Sequence, residues 1–363
     1  MPELPEVERA AKFIRTTATG KKITRVETTE DTLVYTGGIT HEQFRNEIEG
    51  RVIKTAGRRG KVFYIELEGP GKMPVLHFGM TGMLRLKGRP AMYYKETPKD
   101  PDESWPPRYM KFILHLADPN DDEAEKLELA FLDARRLGRI RLCADPLNEP
   151  PISKLGFDPI LSMPNLEDFT PQVLKRKAPI KAVLLNQSFS AGVGNWVADE
   201  ILYHARIHPE YRANTLSTQQ IKKLHFWIAE VCKVAVSVDA DDAKFPDDWL
   251  FKHRWGKGKG ETKIFTLPSG KRGTLRWVTI GGRTSAFIGE LQKHPNGPVA
   301  SRKVWKKKGV SMSSVYFEDD SDYRSEDDST PIPDGDSEPT VGTTKRKRET
   351  TTSESKASKK QKE

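Results

Sequence analysis

Near residue 145 the rhythm of the apolar residues changes, so no single layer of secondary structure can carry both halves of the chain. Upstream the period is two. Phe63, Ile65 and Leu67 alternate, and Val75-Leu76-His77-Phe78, residues 112–116, Leu127-Leu129-Phe131 and Ile140-Leu142 add short runs between glycine-rich breaks. Many short strands of this kind predict a β-sandwich or barrel. Ahead of them Val7, Ala10, Ala11 and Ile14 recur at helical spacing, so residues 5–19 read as a helix entered at Pro5 and stopped by Gly20. Pro146, Pro150 and Pro151 mark a linker, after which helical periods take over. Residues 171–177, 179–187 and 195–205 are helix candidates, with Pro179 placed in a first turn. Residues 218–237 give the clearest signal: a capping box from Ser217 to Gln220, with Ile221, Leu224, Ile228, Val231 and Ala235 on one face. Residues 263–267 and 275–278 then read as a hairpin across Pro268-Ser269-Gly270. Residues 88–108, rich in Pro, Lys and Asp, read as a surface insertion between strands.

The formal net charge of the 363 residues is +9. Basic residues recur through the body, as at Arg58, Arg59, Lys61, Arg135 and Arg136, which favours a polyanionic partner over a merely basic tail. Cys143 and Cys232 are too few for a four-thiolate zinc site or a disulfide framework and point to a reducing compartment. No run approaches the roughly 20 apolar residues of a membrane span, and MPELPEVERA lacks the apolar core of a secretory signal. From about residue 300 the chain is Ser, Thr, Asp, Glu, Lys and Pro. It cannot bury enough apolar area to offset its ordering entropy, so a disordered tail is expected. Lys345-Arg346-Lys347-Arg348 and, ten residues on, Lys359-Lys360-Gln361-Lys362 fit both a bipartite nuclear-import pattern and nonspecific DNA affinity.

Residue 2 is proline, small enough for Met1 to be removed and a secondary amine exposed. An α-amine has a reference pKa near 8, so at neutral pH about a tenth of it is free to attack. Condensed with an aldehyde it gives an iminium, whose permanent charge is the electron sink an elimination needs. Glu3 and Glu6 stand beside it and one turn along, placed for proton transfer. Each residue alone has an ordinary reading, a common second-position proline and first-turn acids that suit the helix dipole.

The whole string decides. Pro2-Glu3-Leu4-Pro5-Glu6-Val7-Glu8 resembles the N-terminal signature of the formamidopyrimidine-DNA glycosylase and endonuclease VIII family. Four further segments follow in that family's order: Arg58-Arg59-Gly60-Lys61 resembles its basic turn, His77-Phe78-Gly79-Met80-Thr81-Gly82 its intercalation loop, and Asp133-Ala134-Arg135-Arg136-Leu137-Gly138 its second intercalating segment. Asn186-Gln187-Ser188, with Gly192-Val193-Gly194-Asn195-Trp196-Val197-Ala198-Asp199-Glu200, resembles its helix–two-turn–helix motif. The resemblance covers residues 2 to about 290.

It implies an α+β fold: an N-terminal helix plus a two-layer β-sandwich domain over 1–145, a linker over 146–165, and a helix–two-turn–helix domain with a zincless-finger hairpin over 166–295. The tail is 296–363. It implies a bifunctional glycosylase/AP lyase of base excision repair acting on damaged double-stranded and abasic-site DNA; a monomer without cofactor is expected, the scarcity of cysteine leaves no metal site, and the basic runs of the tail point to the nucleus. Pro2 matches the residue that attacks the sugar C1′, Glu3 the one that protonates the sugar oxygen, Glu6 a supporting carboxylate, and Lys61 a phosphate-binding lysine that assists. Asn195, at the helix start after the Gly192–Gly194 turn, matches a phosphate contact to which free N–H groups would add. Met80, Arg135 and Leu137 match the residues that fill the gap left by a flipped base, and His77 opens the first of these loops.

Departures from the family narrow the expectation. Most bacterial members end in a four-cysteine zinc finger, and this chain has no cysteine after Cys232. Gly281-Gly282-Arg283-Thr284-Ser285-Ala286-Phe287 resembles the same hairpin without the metal, with Arg283 as its DNA-binding arginine. The stretch from Val236 to Trp249 is short and acidic where bacterial members carry a loop that covers 8-oxoguanine. Ring-opened purines, further-oxidised guanines and abasic sites are therefore the expected substrates. A noncatalytic DNA-binding module would not need Pro2, Glu3 and Lys61 together, and the N-terminal signature speaks against an RNA-associated protein.

Overall fold

The structure is a computed structural model describing residues 2–89, 104–121, 123–255, 264–267 and 269–294. Most of the expected 88–108 insertion, the tail from 296 and its basic runs lie outside these residues, as does the turn residue Pro268.

Helix α1 (Leu4–Thr17) opens the chain with Leu4, Val7, Ala10, Ala11 and Ile14 buried along one side. Among the described residues eight strands follow: β1 (Lys22–Thr28), β2 (Ile53–Arg59), β3 (Val62–Leu67), β4 (Met73–His77), β5 (Met83–Leu86), β6 (Met110–Ala117), β7 (Leu127–Leu132) and β8 (Arg139–Cys143). They form two antiparallel sheets, ordered β1-β6-β7-β5 and β2-β3-β4-β8. Helix α2 (His41–Ile48) starts at a capping box in which Thr40 Oγ1 accepts from the Gln43 N–H.

The two layers meet on aromatic rings. Phe63 lies 4.7 Å from Phe78, which stacks on Phe131 at 5.6 Å, and Phe131 on Phe112 at 5.4 Å. All four are buried, and truncating any one to alanine costs about 3–5 kcal/mol by loss of transfer energy and cavity formation.

The second half is helical: α3 (Leu166–Leu174), α4 (Ile180–Leu185), α5 (Asn195–Ala205) and α6 (Thr218–Ser237). Two expected boundaries are corrected. The helix read over 171–177 begins at Leu166, because Asn165 caps it by accepting the Asp168 N–H at 2.8 Å, and Pro171 sits inside it. The helix read over 179–187 is shorter, with Pro179 as its extended N-cap and not in its first turn. α5 is the central helix, buried along nearly its whole length against α4 and α6. After it, β9 (Ile264–Thr266), β10 (Arg272–Ile280) and β11 (Arg283–Ile288) form an antiparallel sheet in the order β11-β10-β9. Gly281 and Gly282, both at positive φ, make the tight turn between β10 and β11.

There are two main cores. Val7 to Ile14 of α1 pack into the sandwich, whereas Leu4 packs among Phe169, Trp196, Ile201 and Leu224 of the helical half. The first residue of α1 therefore belongs to one core and the rest of its apolar face to the other. Among the described residues, no helix is long and apolar enough to cross a membrane.

Candidate active site

Three stretches of backbone converge at the start of α1. The Leu4 N–H donates to the Gly192 carbonyl at 3.1 Å. A Cβ on Gly192 would lie 2.7 Å from the Leu4 Cβ and 3.0 Å from the Gly60 Cα, and one on Gly194 would lie 2.2 Å from the Glu3 Cδ. No side chain fits these gaps, and Gly60 and Gly192 also hold positive φ. Glycine thus lets residues 2–4, the β2–β3 turn and the α5 approach share one small volume, in which Pro2 is buried.

Glu3, 2 % exposed, spans the start of α5. Its Oε1 accepts the Trp196 N–H at 2.9 Å and its Oε2 the Val197 N–H at 3.0 Å. This corrects one expectation: these N–H groups of α5 are occupied by a carboxylate of the same chain and are not free for a phosphate. The carboxylate still gains from the helix dipole. Glu6 Oε2 accepts the Glu3 N–H at 2.9 Å, and its Oε1 accepts from Trp196 Nε1 at 3.1 Å. Burial, then the Glu3 charge, raise the Glu6 pKa to about 7. Two neighbouring carboxyls with one holding a proton near neutrality is the arrangement that acid–base chemistry needs.

The sign of the linkage follows. Because the folded pKa of Glu6 lies above its ordinary 4.5, its contribution to stability is fully present below pH 4.5 and is lost as pH rises through about 7. Glu6→Gln should flatten the fall in unfolding temperature between pH 5 and 8. Melts of both proteins across that range check this, and equal slopes would show that Glu6 does not titrate there.

Lys61 is half-buried. Burial pushes its pKa down and Arg283 adds to this, against the opposing pull of Glu3 and Glu6. These four charged groups therefore act on one another within one site. Of the expected basic turn, only Lys61 turns inward to it. Arg58 is buried, with Nε 2.8 Å from Glu8 and Nη1 2.5 Å from Asp158, and Arg59 donates to the Gly156 carbonyl at 3.1 Å. Asp158 also accepts the Gly60 N–H at 2.8 Å, so it fixes the turn that carries Lys61. Burial pushes the Asp158 pKa up, but Arg58 and the backbone donors outweigh it and hold the group ionised. The sequence offered no signal for Asp158, which lies 100 residues from Arg58.

Asn195 lies at the start of α5, as expected, but its Nδ2 donates to the Thr284 carbonyl at 3.0 Å and does not point outward for a phosphate. It ties α5 to the residue after Arg283. Asp199, 1 % exposed, completes the tie: its Oδ2 accepts the Ala286 N–H at 3.1 Å and Arg254 Nη2 at 2.8 Å, and its Oδ1 accepts from Lys181. Lys181 Nζ donates in turn to the Asn195 carbonyl at 2.7 Å. The exposed Arg283 is thereby held beside the site by a buried ionic network, and Tyr203, Leu250, Leu275 and Ile288 share one apolar cluster.

The remaining expected residues form a second group at one end of the β2-β3-β4-β8 sheet. His77 pairs with Val62, next to Lys61, and with Arg139. Burial, then Lys61, Arg139 and Arg141, push its pKa down to about 4. The ring is neutral and its Nδ1 accepts the Gly79 N–H at 3.0 Å, so His77 shapes the loop and adds no charge at pH 7. That loop packs on the second segment so closely that a Cβ on Gly79 would lie 2.3 Å from the Leu137 carbonyl carbon. Asp133 joins the two, accepting from Thr81 Oγ1 at 2.8 Å, the Gly138 N–H at 2.6 Å and the Arg135 N–H at 3.2 Å. Met80 and Leu137 are half-exposed and Arg135 exposed on this rim, while Arg136 turns away to Asp31 at 3.0 Å.

A sandwich and a helix–two-turn–helix half that share a buried N-terminal carboxylate pair define a class of protein, and the comparisons name it. The description "Formamidopyrimidine-DNA glycosylase N-terminal domain" matches residues 1–140, and "Formamidopyrimidine-DNA glycosylase H2TH domain" matches 155–247. The chain is 42 % identical over 293 residues to a formamidopyrimidine-DNA glycosylase of Arabidopsis thaliana, across 81 % of this chain and 71 % of that one. It is 27 % identical over 310 residues to the protein of that name in Bacillus subtilis, across 80 % and 99 %. Among solved structures it is similar to Lactococcus lactis formamido-pyrimidine DNA glycosylase non-covalently bound to DNA containing an AP site, with a TM-score of 0.63 and 25 % identity over 80 % of this chain and all of that one. The chain belongs to the formamidopyrimidine-DNA glycosylase family.

Proposed function

We propose that the protein is a bifunctional DNA glycosylase/AP lyase that excises oxidised or ring-opened bases with the amine of Pro2. The observation that carries this reading is the burial of Pro2 next to the Glu3–Glu6 pair, with Lys61 on the same site. Once Met1 is removed, the Pro2 nitrogen attacks C1′ and the bond to the damaged base breaks. A proton delivered through Glu3 opens the sugar ring at O4′, leaving the iminium. Loss of the C2′ proton expels the 3′ phosphate, and loss of the C4′ proton then expels the 5′ phosphate. Glu6, half-protonated near neutrality, spares the site two buried charges side by side when Glu3 is ionised. Lys61 and Arg283 face the backbone phosphates, and Met80, Arg135 and Leu137 enter the space vacated by the flipped nucleotide.

Borohydride trapping on DNA with one abasic site tests the chemistry. A covalent adduct mapped to Pro2 is the expected result. No adduct, from protein that lacks Met1 and binds that DNA, would leave a noncatalytic binding module.

Arg283 carries the finger's proposed contact, made without a four-cysteine zinc site because no cysteine follows Cys232. Arg283→Ala should weaken DNA binding and reduce the slope of log K against log salt by about one. An unchanged slope rules the phosphate contact out. The stretch after α6 is a compact turn with Asp239 and Ala240 at positive φ, and Asp239 is pinned to Lys12 at 2.7 Å. So small a turn supports the proposed preference for ring-opened and further-oxidised purines over 8-oxoguanine. The basic runs at 345–348 and 359–362 support action in the nucleus.

A further inference from the structure

The chain that leaves β11 folds back onto the loop after α5. Gln292 Nε2 donates to the Ile207 carbonyl at 2.9 Å, and its Oε1 accepts the Ile288 N–H at 2.9 Å. This seats His294 against His208, with ring centroids 5.0 Å apart and planes nearly perpendicular. Glu210 reaches both: its Oε2 lies 3.5 Å from His294 Nε2 and 3.9 Å from His208 Nδ1. One ligand atom from each of the three residues lies within 4.8 Å of the other two.

We propose that His208, Glu210 and His294 form a Zn²⁺ site that clamps the end of the hairpin to the α5 loop. Imidazole and carboxylate are ligands this borderline cation accepts, and three of them leave a fourth position for water. Bonds of about 2.0–2.2 Å in a tetrahedron place ligand atoms roughly 3.4 Å apart. The Glu210–His294 spacing already meets this, and the others close by side-chain rotation, since Glu210 and His294 are only partly buried. His208 is the fixed member, 4 % exposed and packed edge-on against Phe287 at 4.5 Å. Burial, then His294, push its pKa down to about 4, so the ring is neutral at pH 7. A neutral imidazole offers one unprotonated ring nitrogen to a metal. The Glu210 N–H donates to His208 Nδ1 at 3.2 Å. A cation at this nitrogen takes that lone pair and returns the amide of a half-exposed residue to water.

The site uses none of the atoms of a four-cysteine finger, and it lies at the base of the hairpin and not within it. Its consequence for DNA rests on the role proposed for Arg283, but its existence does not. The test is therefore made without DNA. Full-length protein stripped by a chelator is titrated with Zn²⁺ against a chromophoric competitor and then melted with and without the metal. One equivalent should bind at micromolar or tighter affinity and raise the unfolding temperature by roughly 5 °C at saturation. Both effects should vanish in Glu210→Ala and His294→Ala, whose metal-free melts match the parent because both positions are partly exposed. Absence of saturable binding, or binding that survives unchanged in both variants, overturns the site and leaves an ordinary Glu210–His294 ion pair.

Discussion

Pro2→Gly should give a folded protein that still binds abasic-site DNA but nicks it about a hundredfold or more slowly. Glycine also ends in an amine, so the nucleophile itself does not disappear. A secondary amine gives an iminium that is charged at any pH, whereas a primary amine gives an imine that must first take up a proton. Proline's ring also fixes the direction of attack, and misplacing a reacting atom by 1 Å can cost about a hundredfold. The residual activity of the variant should therefore fall as pH rises, unlike that of the parent. Folding is safe because the contact that seats this end, Leu4 N–H to Gly192, is untouched. Circular dichroism with a nicking assay across pH decides, and parental activity in a folded variant would falsify the mechanism.

The second large effect is on stability. Asp158→Ala should lower it by about 3–5 kcal/mol, because it leaves the buried Arg58 with Glu8 as its remaining charged partner. For a body of this size that is on the order of 10 °C in unfolding temperature. Replacing both partners, Arg58→Met with Asp158→Leu, should recover most of the loss, since removing a whole buried pair is far cheaper than breaking it. The double variant should remain a poor enzyme even so. It lacks the carboxylate that holds the Gly60 N–H and hence the turn presenting Lys61. Recovery of stability and activity together would show that Asp158 does not place the turn.

The parts of this molecule that were legible in sequence are those with a local signature. The capping box at Ser217, the alternation at Phe63–Leu67 and the heptapeptide at Pro2 each sit within one stretch of chain. Strand β1 escaped notice because Lys22, Thr24, Arg25 and Glu27 break its alternation, and β5 because it is only four residues long. The reading of α3 over 171–177 starts late because Asn165, the true cap, stands in a stretch with no helical signal of its own. The supports of the site were illegible for a different reason. Asp158 with Arg58, Glu3 with Trp196 and Asp199 with Ala286 join residues about 90 to 190 positions apart, and only folding puts them together. Asn195 shows the limit: its position was right, but its partner is a carbonyl of the hairpin.

Leu4 anchors in the helical core while Val7 to Ile14 anchor in the sandwich, which leaves Pro2 buried at the seam. That sets an order of events during synthesis. An aminopeptidase needs an extended end in its cleft, so any residue ahead of Pro2 has to be trimmed while the nascent chain is still loose on the ribosome. Once α1 docks, the opportunity closes, and a molecule that misses it stays well folded yet chemically silent. The helical half is made after the sandwich, so the later arrival of Phe169, Trp196 and Leu224 keeps Leu4 unanchored and holds that interval open.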